Sequence, residues 1–189
     1  SPLCFRGGSM HCWKTINIEY EYGTPRLFIL AVITFVLVFC FAYITLSFNF
    51  VSKHEDHYLW VLILVLLFIY PIHKFIHYSM LFDYRKSFVF RFKIRFNFVP
   101  IVHMRLQQYI PKQRYIIALL GPFILLNGTL LVIGFSFPQY AHHISLLLSF
   151  HCSICLMDIL YVKNLVTAPT NAIIEETPKG YEILVPLTN

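Results

Sequence analysis

His73 and His77 stand one helical turn apart in the run His73-Lys74-Phe75-Ile76-His77. Residues at i and i+4 share a helix face, so both imidazoles can reach a single metal ion. The spacing is that of H-E-x-x-H, in which the Glu is the general base of zinc-assisted hydrolysis. Here Lys74 occupies the place of that Glu. An ammonium is protonated at neutral pH and cannot take a proton from water. The pattern therefore keeps two zinc ligands and lacks the ordinary base. A catalytic zinc takes three protein ligands and leaves one position open. The third ligand expected is Asp158, the one carboxylate inside any of the long apolar runs. An unpaired carboxylate in such surroundings is costly and calls for a metal or a cation.

Two further polar residues fall near this set. His151 lies seven residues before Asp158 and shares its helix face, as a ligand or as a group behind one. Asn127 sits inside another apolar run, where it either orients a substrate backbone or hydrogen-bonds between helices. Plainer readings stand beside these. The two histidines can be satisfied by backbone or by each other, and Asp158 can form an ion pair with Lys74 or Lys163. Lys163 follows Asp158 by five residues, a poor spacing for a helical pair, and is expected to reach the interface instead. His142 and His143 fall at the outer boundary, where solvation is expected. Cys152-Ser153-Ile154-Cys155 is an isolated C-x-x-C, weak as a zinc or redox signal without a second pair.

These residues must be positioned by apolar helices. The chain has 189 residues, of which 58% are hydrophobic and 13% charged, with a mean hydropathy of +0.66. That charged share is about half the soluble norm. Four runs, at about 25–51, 58–82, 115–137 and 141–166, are each long enough to cross about 30 Å of hydrocarbon as a helix. In hydrocarbon the backbone must satisfy itself, which makes helix the default. The fold class expected is an all-α membrane protein of four transmembrane helices with a small β-element, in a single domain from residue 10 to 189. Ser1 to Ser9, with Gly-Gly-Ser ahead of Met10, read as an expression remnant. Five cysteines, an odd number, argue against a disulfide framework.

Charge sets the orientation. Eight of the fifteen Lys and Arg lie in the connection 83–114. The connection after the first span has one Lys against Glu55 and Asp56, and the one after the third has none. The positive-inside rule places loop 83–114, the tail 167–189 and both termini in the cytoplasm. The second and fourth spans then run parallel. At about 1.5 Å per residue, His77 and His73 lie roughly 7 and 13 Å below the inner surface and Asp158 roughly 12 Å. One layer can hold all three if those helices are neighbours.

The basic loop also alternates. Phe88, Phe90, Phe92, Ile94, Phe96 and Phe98 form one face of a strand; Arg91, Lys93 and Arg95 fall on the other. Pro100 is expected to end it. The tail reads as two strands flanking Thr177-Pro178-Lys179-Gly180, a turn sequence, and offers a pairing partner for the loop strand. Topology and anionic lipid already explain the basic loop, so no nucleic-acid partner is expected.

The ordered set His73-Lys74-Phe75-Ile76-His77, Leu120-Gly121-Pro122-Phe123 and Met157-Asp158-Ile159-Leu160-Tyr161-Val162, followed by Ala172-Ile173-Ile174-Glu175-Glu176 and Gly180-Tyr181, resembles the zincin-peptidase family of small bacterial four-span membrane proteins. Those proteins are similar in layout to site-2 proteases. The resemblance implies a membrane-embedded metallopeptidase fold in the bacterial cell membrane, zinc as the cofactor, and His73, His77 and Asp158 as its ligands. Lys74 departs from the pattern at the catalytic position. Two functions follow: a metallopeptidase acting on a transmembrane or extended peptide, with the strand at 88–98 offering an edge to it, or an inactive pseudoprotease that grips such a peptide as a regulator or resistance-type factor. Oligomeric state is not legible.

Overall fold

The computed structural model describes residues 10–48, 58–82, 88–95, 99–106, 109–177 and 180–186. A short helix α1 (Ile18–Tyr22) is capped by Asn17, whose side chain accepts from the Tyr20 amide. It leads into four long helices: α2 (Thr24–Phe48), α3 (Leu59–Met80), α4 (Lys112–Ser136) and α5 (Ala141–Val166). All four are long and apolar enough to cross a membrane. Their ends lie within three residues of the sequence expectation. Hydroxyls inside them bond back along the helix, Thr34 to the Leu30 carbonyl and Thr45 to that of Phe41, both at 2.8 Å. That bond lets a polar side chain sit in an apolar helix without an unmet donor.

Helix α5 packs against α2, α3 and α4 and is the most buried of the four. The outward faces of α2 and α3 carry large exposed apolar residues, among them Phe41, Trp60 and Leu67. A continuous apolar exterior of this kind suits hydrocarbon rather than water. Small residues let backbones approach within the bundle. At Gly134 a Cβ would stand 3.0 Å from Leu46 and 3.1 Å from Ile144, joining α4 to α2 and α5. His143 is buried beside Tyr140, which corrects the expectation of a solvated pair at the outer boundary.

The other end of the bundle carries the sheet. Strands β1 (Met10–Ile16), β4 (Ile110–Pro111), β5 (Ile173–Thr177) and β6 (Gly180–Pro186) form an antiparallel sheet in the order β1-β6-β5-β4. The tail hairpin is as expected, though its turn residues 178 and 179 lie outside the described ones. Strand β1 was not expected. Strands β2 (Phe88–Arg95) and β3 (Val99–Leu106) pair with each other as a separate hairpin. Two expectations are thereby corrected: the tail is not the partner of the loop strand, and Pro100 does not end a strand but lies within β3 opposite Ile94. Among the described residues strand β3 pairs on one side only, and an edge tolerates a residue without an N–H. Residues 96–98 of the expected strand lie outside the described ones.

One apolar cluster welds this sheet to the bundle. It contains Ile16 and Ile18, Leu81 at the end of α3, Tyr115 and Ala118 in the first turns of α4, Leu165 at the end of α5, and Ile174, Tyr181 and Ile183 of the tail. Tyr181 is buried and its hydroxyl donates to the Tyr161 carbonyl at 2.9 Å. Lys112 donates to the carbonyls of Val166 and Ala168, placing a cation on the carbonyl end of α5, where the helix dipole favours it. The start of α4, the end of α5 and the tail are thus tied together beside the ends of α3.

Candidate metal centre

Helix α3 brings His73 and His77 to the same face, and α5 presents Asp158 to them. The Asp158 Oδ2 atom lies 3.1 Å from His73 Nε2 and 3.5 Å from His77 Nε2, and the two Nε2 atoms are 3.0 Å apart. The depth argument thus identified neighbours. The ionic partners of Asp158 are the two histidines, not Lys74 or Lys163. Lys163 is exposed.

Hydrogen bonds behind the imidazoles fix which nitrogen faces the centre. His77 Nδ1 lies 2.8 Å from the Ala118 carbonyl. A carbonyl only accepts, so Nδ1 carries the proton and Nε2 of the neutral ring carries a lone pair. His73 is set through a longer chain. Asn127 Oδ1 lies 2.7 Å from His151 Nδ1, and His151 Nε2 lies 3.1 Å from His73 Nδ1. Asn127 oxygen accepts from His151 Nδ1–H, His151 Nε2 accepts from His73 Nδ1–H, and His73 Nε2 is left with its lone pair. Asn127 and His151 are buried. Of the roles open to them in the sequence, the structure places both behind His73: His151 orients the ring, and Asn127 bonds between helices α4 and α5.

Three electron-pair donors therefore converge at separations of 3.0 to 3.5 Å. Facing one another bare they repel, and a proton can bridge only one pair. A tetrahedral zinc with bonds of about 2.0–2.1 Å holds neighbouring ligand atoms roughly 3.3 Å apart. The three separations straddle that value, so the donor set fits zinc in type, protonation and spacing, and His73, His77 and Asp158 together could hold one ion.

The centre is open on one side. A pocket of about 160 Å³ is lined by His77 and Asp158, by Lys74 and Tyr78 of α3, by Tyr115 and Ala118 of α4, by Tyr161 of α5 and by Glu176 of β5. That volume holds roughly five waters at about 30 Å³ each. Lys74, on the wall, lies 5.9 Å from the centre of the Tyr70 ring one turn earlier, a cation–π distance.

A model of the family described as "Putative zincin peptidase" matches residues 66–173, more than half of the chain. The chain belongs to that family. No curated protein and no solved structure matches it. The zincin match takes in His73, His77, Asn127, His151 and Asp158 and stops short of Glu176. In zincin terms, His73, His77 and Asp158 would hold the ion, and His77 and Asp158 border the pocket.

Sequence reasoning missed three contributors. Ala118 enters through its carbonyl, which no side-chain pattern announces. Cys155 is legible in the sequence only as half of a weak C-x-x-C; its thiol stands 3.5 Å from His151 Nε2 and 3.8 Å from His73 Nδ1, and these three buried residues form a second group with ligand spacing. It shares His73 with the first group and does not line the pocket, so it has no open face toward a substrate. Glu176 entered only as part of the tail segment 172–176 of the family resemblance; nothing in that segment aims its carboxylate at the pocket.

Proposed function

We propose that this chain is a multi-pass protein of the bacterial cell membrane whose His73, His77 and Asp158 bind zinc, and that the centre acts as a metallopeptidase on a transmembrane or extended peptide. The observation that carries this reading is the convergence of three lone pairs, with tautomers held by Ala118 and by the Asn127–His151 chain, at the edge of an open pocket. The family supports the same chemistry. The charge distribution supports a cytoplasmic position for both termini and the connection 83–114, with the site near the inner face.

When bound, zinc supplies Lewis acidity toward a substrate carbonyl and toward water. The protein's own groups divide the remaining work. His77 and Asp158 meet the pocket, so a peptide group entering it comes beside the ligands. Lys74 does not supply the carboxylate of the ordinary motif, but it lines the pocket, where a cation would stabilise negative charge developing on a carbonyl oxygen. The surrounding apolar helices limit water and strengthen that effect.

Lys74 also favours a second reading, a pseudoprotease that binds a membrane peptide without cutting it. The two separate by experiment. The purified protein in lipid nanodiscs, analysed for metal without added zinc and given a membrane-spanning peptide with a fluorophore and quencher, would hold one zinc per chain and cleave. Zinc without cleavage supports the pseudoprotease. No zinc, or equal zinc in His73→Ala and Asp158→Ala, refutes the metallopeptidase reading and leaves the pseudoprotease.

A further inference from the structure

Position 74 carries no base, and the pocket beside it is lined by a carboxylate from another element. Among the described residues, Asp158 and Glu176 are the carboxylates lining the pocket. Asp158 is committed to the two histidines. Glu176 comes from β5, outside both the helix motif and the matched region. Tyr115, buried in the first turn of α4, donates its hydroxyl to Glu176 Oε1 at 3.0 Å. The Tyr115 ring is itself held against Tyr181, with centroids 5.9 Å apart, and Tyr181 is anchored to the Tyr161 carbonyl. The Tyr115 hydroxyl, on a ring held edge-on by Tyr181, thereby holds the carboxylate at the pocket wall.

We propose that Glu176, on the pocket wall from the tail hairpin, is the general base of the zinc-peptidase site, taking the role that Lys74 leaves open. This rests on the metallopeptidase reading above. Glu176 lines the same pocket as His77 and Asp158, and a base on that wall acts on a water in the pocket directly or through one other water. In the step, the water oxygen bonds the scissile carbonyl carbon while its proton passes to the Glu176 carboxylate. The carbonyl electron pair moves onto oxygen, opposite the cation of Lys74. The C–N bond then breaks, and the proton on Glu176 goes to the departing nitrogen. Tyr115 is a positioning residue, holding Glu176 without touching the reacting atoms. The division differs from the ordinary motif: cation and base are exchanged, Lys on the helix and Glu on the hairpin.

The test uses Glu176→Gln in the full chain in nanodiscs, which keeps size and the capacity to accept from Tyr115. A peptide hydroxamate supplies a readout independent of turnover, because its hydroxyl proton moves to a nearby carboxylate when it chelates zinc. The expected result is unchanged zinc content, hydroxamate affinity weakened roughly 10- to 100-fold by loss of a charge-assisted hydrogen bond, and cleavage slowed about 10²- to 10⁴-fold with KM little changed. Glu175→Gln, on the same strand but off the pocket wall, should match the parent. Hydroxamate affinity and cleavage within about threefold of the parent, or loss of zinc from Glu176→Gln, overturns the inference and leaves the metal site standing. A parent that binds zinc and cleaves nothing also overturns it. A parent without zinc sinks the metallopeptidase reading itself.

Discussion

Replacing Asn127 by Leu isolates the hydrogen-bond chain behind the metal centre. Asn127 touches no proposed ligand; it acts through His151, accepting from Nδ1 at 2.7 Å, and His151 meets His73 Nδ1 at 3.1 Å. Without that acceptor, the His151 proton is free to move to Nε2, where it faces the His73 Nδ1 proton. His73 then loses its orienting partner or turns its lone pair away from the centre. Groups behind a ligand typically contribute 10- to 100-fold in metal affinity, about 1.4–2.7 kcal/mol. The exchange leaves the buried His151 Nδ1–H without its acceptor, which costs about 1–3 kcal/mol of stability, so zinc affinity is read against the stability of the same variant. Competition with a chromophoric chelator gives the zinc affinity, and thermal unfolding in the same detergent gives the stability. Asn127→Asp keeps the acceptor and should retain or tighten zinc binding. Zinc affinity for Asn127→Leu within about threefold of the parent, with stability unchanged, would refute the tautomer argument.

Lys74→Glu should tighten zinc roughly 3- to 10-fold by replacing a cation near the centre with an anion, read by the same competition. Gly180 has φ of 152° and its absent Cβ would fall 2.0 Å from the Ile16 carbonyl oxygen; Gly180→Ala should detach the β1–β6 edge, seen as faster proteolysis of the tail and faster amide exchange in β1. Glu182 lies opposite Glu175 across the hairpin, and burial first, then that like charge, holds its carboxyl above the ordinary value of 4.5. Folding therefore favours its protonated form: the tail is steadier below pH 4.5 and loses that contribution as pH rises through the raised value. Amide exchange in the hairpin, corrected for its intrinsic pH dependence, should follow this trend, and Glu182→Gln should abolish it.

The helices and the histidine pair were legible because each rests on local periodicity: apolar length gives the four long helices, and a four-residue spacing gives one helix face. Asp158 was legible from its cost, since an isolated carboxylate in an apolar run needs a partner. The sheet was legible only in part. Its hairpin lies between consecutive strands and carries a turn sequence, whereas β1 reaches β6 across most of the chain, and such a pairing leaves no spacing to read. Pro100 misled because a proline stop holds for central strands and β3 is at an edge. Glu176 and the Ala118 carbonyl depend on how the tail and α4 dock, which follows from packing of Tyr115, Tyr181 and Leu165 rather than from any motif.

X-ray absorption at the zinc edge on the purified full chain tests the central claim most directly. The account predicts one zinc per chain in a shell of nitrogen and oxygen at about 2.0–2.1 Å, with two imidazoles, and loss of that signal in His77→Ala. A sulfur at about 2.3 Å would move the ion to His73, His151 and Cys155 and contradict it, as would a protein that holds no zinc.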